Sequence, residues 1–237
     1  MIKFDGIEKD YIKVLHTESR PGAPTVNRTT VGISNRHGAR VGRLNYDKRI
    51  LAVPVTIEFE GLRDLQSKKE ETARWLIQKD AKELEFADEA GTIYFAHYTS
   101  GLEQFDESPS AAKATIIFTC YDPFKYGREI VAGLNFTNTR GGESSPCLVT
   151  VRFRGNAEGY TVKHTQADKE ARVVWDFVNG DILELDMNRR RVTINGHVRM
   201  TAFDFRSQMF EVLPGQNTLE TNVNSAWTEI TYRPRWL

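Results

Sequence analysis

Between residues 147 and 232 the chain sets out short, apolar-alternating runs at near-regular intervals, with turn residues and no helical periodicity between them. CLVTVRFRG, GYTVKHT, ARVVWDF, DILELDM and RVTIN follow one another, and two further strands flank LPGQN. Side chains alternate between the two faces of a strand, so such a run buries one face only and needs a second layer to cover it. Strands repeating every ~8 to 12 residues without helices between them define a β-sandwich or jelly roll. GDILELDMNRRRVTINGH, residues 180–197, reads as a tight β-meander, and MFEVLPGQNTLE as a strand, a Pro-Gly turn and a strand; neither carries a catalytic loop. Asn195-Gly196 is a hairpin signal because both residues tolerate positive φ. A two-residue loop would pair Ile194 with His197 and mix polar with apolar residues on each face, so a three-residue connection with Ile194 opposite Val198 is expected.

The N-terminal half has a different texture. ILAVPVTIEF, residues 50–59, is its clearest strand, with Val53, Val55, Ile57 and Phe59 on one face. Pro54 has no amide hydrogen and suits an edge or a bulge. Residues 62–80 give the one helix, with Leu62, Leu65, Ala73, Leu76 and Ile77 near a single stripe. Further strands are expected at 84–86, 92–100 and 111–122, the first two joined by the turn DEAG. Residues 20–49, rich in glycine, arginine and threonine, read as a long irregular hairpin or loop. Periodicity fades over 126–145, which places a domain boundary between 1–135 and 136–237.

Charge and composition exclude several classes. Lys+Arg and Asp+Glu both total 32, so there is no excess of cations for coating nucleic acid. Near-zero net charge is compatible with packing against copies of the same chain. MIKFDGIEKDYIK lacks the apolar core of a secretory signal, and no run approaches the ~20 apolar residues of a membrane span, so synthesis in the cytoplasm without membrane insertion is expected. Cys120 and Cys147 read as buried free thiols, with a disulfide left as the alternative.

Catalytic signatures are sparse. The chain contains no phosphate-cradling glycine loop, no G-x-S-x-G and no H-E-x-x-H. His16, His37, His97, His164 and His197 are scattered without metal-ligand spacing, so neither a metal nor a cofactor is expected. Asp181 with Asp186, or Asp88 with Glu89, could serve glycosidase chemistry only across a cleft, and turn-forming acids are the commoner case. Tyr160 and Trp175 are candidates for stacking on sugar rings, although strand aromatics usually fill the core. Arg36, His37, Arg40 and Arg43, interleaved with Gly38 and Gly42, form the sharpest local cluster. On a neutral chain it is a weak polyanion site and a better arm for contacting a neighbouring subunit, since arginine is enriched at interfaces.

Taken together, LEFADEAGTIYFA, CYDPFKYG, GDILELDMNRRRVTINGH and FEVLPGQNTLE, in this order, resemble the distal tail proteins (Dit) of long-tailed siphophages over the whole chain. The runs DPFKY at 122–126 and LPGQN at 213–217 carry the most specificity. The resemblance implies a mainly β fold: an N-terminal, sandwich-like ring-forming (belt) domain with one helix, and a C-terminal galectin-like β-sandwich. It implies a structural role without enzymatic activity, as a homo-hexameric ring, or two stacked rings, at the tail tip of the virion. The implied partners are the tail tube protein on one side and a tail-associated lysin or receptor-binding protein on the other. Carbohydrate recognition at the host surface is the alternative reading, and a tail-associated hydrolase a further one.

Overall fold

The structure, a computed structural model, describes residues 1–15, 20–35, 37–103 and 105–237. Its contacts divide the chain into two compact units, Met1–Lys125 with Leu237, and Tyr126–Trp236. The division falls at 125/126 and not at 135/136 because the strand Ile130–Ala132 pairs with Ala226–Tyr232, inside the second unit.

In the first unit an antiparallel sheet runs in the order Ile7–Glu8, Ile2–Phe4, Lys82–Phe86, Ile93–Ser100, Ala111–Cys120, Arg49–Glu58, Ile12–Val14. Its backbone is the pairing of Arg49–Glu58 with Ala111–Cys120, from Cys120 opposite Arg49 to Ala111 opposite Glu58. The period of two holds: Leu51, Val53, Val55 and Ile57 are fully buried, as are Ile116 and Phe118 opposite them. Pro54 is tolerated inside this strand because the outer strand Ile12–Val14 ends beside it. The pairing stops at Val14 opposite Val55, and the Leu15 N–H donates to the Pro54 carbonyl at 2.9 Å without a return bond being required.

The one α-helix among the described residues runs Leu62–Leu76 and ends where Ile77 turns extended. Asp64 stabilises its start, accepting the Glu60 N–H at 2.8 Å in the turn where the helix dipole favours a negative charge. The buried stripe is Leu65, Thr72, Trp75 and Leu76; Leu62 and Ile77, expected on it from spacing, are exposed at the two ends. Trp75 anchors the helix on the sheet by its T-shaped contact with Phe4 and by its Nε1–H, which donates to the Phe4 carbonyl at 3.0 Å.

The second unit is a sandwich of two antiparallel sheets. One runs Ile130–Ala132, Ala226–Tyr232, Cys147–Phe153, Ile182–Asp186, Arg191–Ile194, His197–Val198; the other runs Asn135–Asn138, Gly215–Thr221, Ala157–His164, Lys169–Phe177. One core joins them, with Val149, Val151, Leu183, Leu185 and Ile230 from the first sheet and Tyr160, Val162, Ala171, Val173 and Leu219 from the second. Phe153 stacks on Phe177 at 4.0 Å between ring centroids.

The Asn195-Gly196 hairpin corrects one expectation. Thr193 pairs with Val198 and Ile194 with His197, a two-residue loop with φ 50° at Asn195 and 76° at Gly196. The facial argument for a longer loop fails because His197–Val198 is the outermost strand and both its side chains are exposed, so no burial pattern constrains its register. Turn chemistry decides it instead. Asn195 also fixes the turn through its side chain, accepting the Ile182 N–H at 2.9 Å and donating to Asp181 at 2.8 Å.

Candidate functional site

The segment read as an irregular hairpin or loop is a regular two-stranded sheet, Val26–Gly32 against Ala39–Tyr46, and among the described residues no third strand joins it. Every residue of Val26–Gly32 is exposed, and so is every residue of Ala39–Tyr46 except half-buried Tyr46. An isolated two-stranded ribbon is marginally stable in water, so this one has surface left to cover.

Its register separates two faces. Val26 opposite Tyr46, Arg28 opposite Leu44, Thr30 opposite Val41 and Gly32 opposite Ala39 share one face. Asn27 opposite Asn45 and Val31 opposite Arg40 share the other. Between them the pairing slips, so that Gly42 and Arg43 together face Thr29. Glycine is required in this bulge: a Cβ at Gly42 would sit 3.1 Å from the Thr29 carbonyl oxygen. The slip puts Val41 and Leu44, three positions apart, on the same face. One face is therefore largely apolar, with Val41 61% and Leu44 41% exposed, while Arg40 and the bulge residue Arg43 belong to the opposite side.

Of the four residues expected to contact a neighbour, His37 lies in the exposed turn between these strands, Arg40 and Arg43 lie on the second strand, and Arg36 falls outside the described residues. The apolar face was missed on sequence, although its signal is present: valine, leucine and tyrosine at 41, 44 and 46 alternate correctly only if Gly42 absorbs one residue.

The two residues named for sugar stacking part company. Tyr160 is fully buried, with its hydroxyl 2.9 Å from that of Thr228, and presents no ring face to a ligand. Trp175 reaches the surface because Val174 and Trp175 together oppose Gly159, a bulge flanked by Glu158 opposite Asp176 and Tyr160 opposite Val173. Arg199 already lies over its ring, 5.9 Å from the centroid.

The buried histidine and cysteines are accommodated by the fold without a ligand. His164 is buried, accepting the Ala167 N–H at 2.9 Å and contacting Asn217 at 2.8 Å. Burial pushes the Cys120 and Cys147 thiols up to about 12, and both are free. Among the described residues no three His, Cys, Asp or Glu side chains gather as a metal site, and no helix is long and apolar enough to cross a membrane.

Residues 9–120 match the phage tail protein RIFT-related domain, and residues 140–236 match the C-terminal domain of the siphovirus-type tail component. The distal tail protein of Bacillus phage SPP1 is 28% identical over 200 residues, 81% of this chain and 77% of that protein. The crystal structure of the SPP1 protein, described as a paradigm of the hub adsorption apparatus in phages infecting Gram-positive bacteria, superposes with a TM-score of 0.86. That superposition has 20% identity and covers 100% of this chain and 98% of that one. A chain of the phage p2 baseplate, in its activated conformation with Ca, superposes with a TM-score of 0.57 at 11% identity, covering 94% and 90% of the two chains.

A mainly β chain that carries these two domains in this order, and a ribbon left uncovered between its strands, is a structural component of a phage tail. The chain belongs to the siphophage distal tail proteins, and its place is the tail tip of the virion.

Proposed function

We propose that this chain assembles into a homo-hexameric ring, or two stacked rings, forming the hub between the tail tube protein and the tail-associated lysin or receptor-binding protein. The first unit, Met1–Lys125, builds the ring as its belt domain, and the second, Tyr126–Trp236, a galectin-like β-sandwich, forms the attachment platform. The role is structural, without catalysis, a cofactor or nucleic-acid binding.

The observation that carries this reading is the ribbon Val26–Gly32 with Ala39–Tyr46, exposed along almost its whole length, with one largely apolar face and Arg40 and Arg43 on the other. A ring closes through heterologous contacts, in which one patch of each subunit meets a different patch of the next. A ribbon that pairs with no further strand among the described residues is suited to be the inserting element. The description of the SPP1 relative as a hub supports the same placement.

Light scattering and negative-stain microscopy of the purified protein, alone and with the tube protein, test it. Particles of six or twelve subunits are expected. Paired Val41→Asp and Leu44→Asp should abolish them, and paired Arg40→Ala and Arg43→Ala should weaken them, with melting temperature nearly unchanged in both because these side chains are exposed. A protein that stays monomeric at every concentration with the tube protein present overturns the ring.

A further inference from the structure

The run Asp122-Pro123-Phe124-Lys125 ends the first unit; Pro123 and Phe124 contact residues at the base of the exposed ribbon, and Lys125 is linked to the chain leading into it through Glu89. The Pro123 carbonyl accepts a hydrogen bond from Arg49 Nε at 3.0 Å, and the same guanidinium donates from Nη1 to the Pro21 carbonyl at 2.6 Å. Pro21 lies just before the ribbon and Arg49 just after it, so one side chain closes the ribbon's base and holds the exit segment. The Phe124 ring meets Tyr46, the last residue of the ribbon, in a T-shaped contact at 5.9 Å. Lys125 reaches Glu89 at 3.4 Å, and Glu89 also faces Arg20, at 3.8 Å, on the chain leading into the ribbon. Asp122 shapes the run itself, its carboxylate accepting the Phe124 N–H at 3.2 Å.

Arg49 marks how much the fold commits to this junction. It is fully buried, no carboxylate pairs with it among the described residues, and its Nη2 has no hydrogen-bond partner there. A buried charge is costly unless it is well solvated by the protein, and a guanidinium confined to carbonyl acceptors is only partly so. What its planar fork supplies is geometry: two donors at a fixed angle, aimed at two chain segments far apart in sequence. Glu89 is its counterpart of opposite sign, gathering the side-chain cations of the same two segments and accepting the Tyr94 hydroxyl at 2.6 Å.

We propose that Asp122–Lys125 is a latch that binds the base of the ribbon to the segment by which the chain leaves the first unit, so that the two are ordered together and a displacement of one is passed to the other. The latch rests on geometry alone. Its consequence, that docking of the ribbon on a neighbour is transmitted to the exit of the ring domain, rests on the reading of the ribbon as an arm.

Hydrogen exchange on the protein at a concentration where it is monomeric tests the latch independently of ring formation. Phe124→Ala should speed exchange of the amides in Val26–Gly32 and Ala39–Tyr46. Tyr46→Ala should in turn speed exchange at Phe124 and Lys125. Arg49→Lys, which keeps the charge but loses the fork, should speed both segments by about tenfold, the factor corresponding to one lost hydrogen bond to a charged group. Strands Arg49–Glu58 and Ala111–Cys120 should stay protected throughout. The pair Phe124→Ala with Tyr46→Ala should do no more than either alone, because both remove one contact. Effects confined to the mutated segment, or additive in the pair, overturn the latch. Should Arg49→Lys fail to fold, the Tyr46 and Phe124 variants still decide. Loss of assembly in the Val41 and Leu44 variants bears only on the arm, so the two readings fail separately.

Discussion

Buried His164 and Asn217 face each other at 2.8 Å in the second unit, and the direction of that bond is fixed by their other partners. His164 Nδ1 accepts the Ala167 N–H, so Nε2 carries the proton and donates to Asn217 Oδ1. The same oxygen accepts the Leu213 N–H at 2.8 Å, while Asn217 Nδ2 donates to the Leu213 and Gly215 carbonyls, each at 2.9 Å. One amide thus ties the whole Leu-Pro-Gly-Gln-Asn turn together and docks it on the neighbouring strand.

Asn217→Ala should therefore strip partners from several buried groups at once. The expected cost is about 2 to 4 kcal/mol, since buried donors and acceptors left unpaired lose their full solvation. Asn217→Asp should be nearly as damaging, because a carboxylate cannot donate to the two carbonyls. Calorimetry of the two variants checks this, and a melting temperature within a degree of the parent in Asn217→Ala would show that the turn holds itself.

Trp75 makes a comparable point in the first unit. Trp75→Phe keeps the T-shaped contact with Phe4 but removes the Nε1–H donated to the Phe4 carbonyl. A loss of about 1 to 3 kcal/mol is expected in urea unfolding. Ile77→Ala, at an exposed position beyond the helix, should change stability by less than about 0.5 kcal/mol.

The positions of the strands were legible because burial on one face imprints a period of two, as in Val53, Val55 and Ile57. What was not legible was fixed by contacts between distant residues or by the backbone. Spacing placed Leu62 and Ile77 on the helix stripe, but spacing carries no record of where a helix is covered, and the sheet covers Thr72 and Trp75. The Asn195-Gly196 register went to turn chemistry because no buried face opposed it. At the candidate site, the arginines of the ribbon stood out as charge, whereas its apolar face was hidden behind a one-residue bulge at Gly42. Arg49 gave no signal at all: an arginine opening a strand looks solvent-facing until Pro21 and Pro123, 28 and 74 residues away in sequence, are brought against it.

The two thiols should be inert in the folded protein. With both pushed up to about 12 by burial, about one in 10⁴ is ionised at pH 8, and only the thiolate reacts. A disulfide-exchange reagent should label neither Cys120 nor Cys147 within minutes under native conditions and both in urea. Fast labelling of one in the native state would mean that its strand opens.

Asp181 gives the pH dependence its sign. Its carboxylate receives a hydrogen bond from the Asn195 amide and another from the Val178 N–H, and these, the Asn195 bond foremost, hold its pKa below the ordinary value of 3.8. A group whose pKa is lowered by folding stabilises the fold above its unfolded value and stops doing so as pH falls through the folded one. The contribution to the 178–195 turn is thus complete above about pH 4 and is lost below it, in the range where Asp181 itself takes up a proton. Carboxyl titration by NMR should place Asp181 below 3.8, and Asn195→Ala should move it back toward that value. The same variant should also weaken the turn at neutral pH, because the Ile182 N–H loses its acceptor and alanine resists the positive φ at this position. A titration of Asp181 unchanged by Asn195→Ala would assign the shift to the Val178 amide instead, and leave Asn195 holding the turn through its bond to the Ile182 N–H and its backbone conformation.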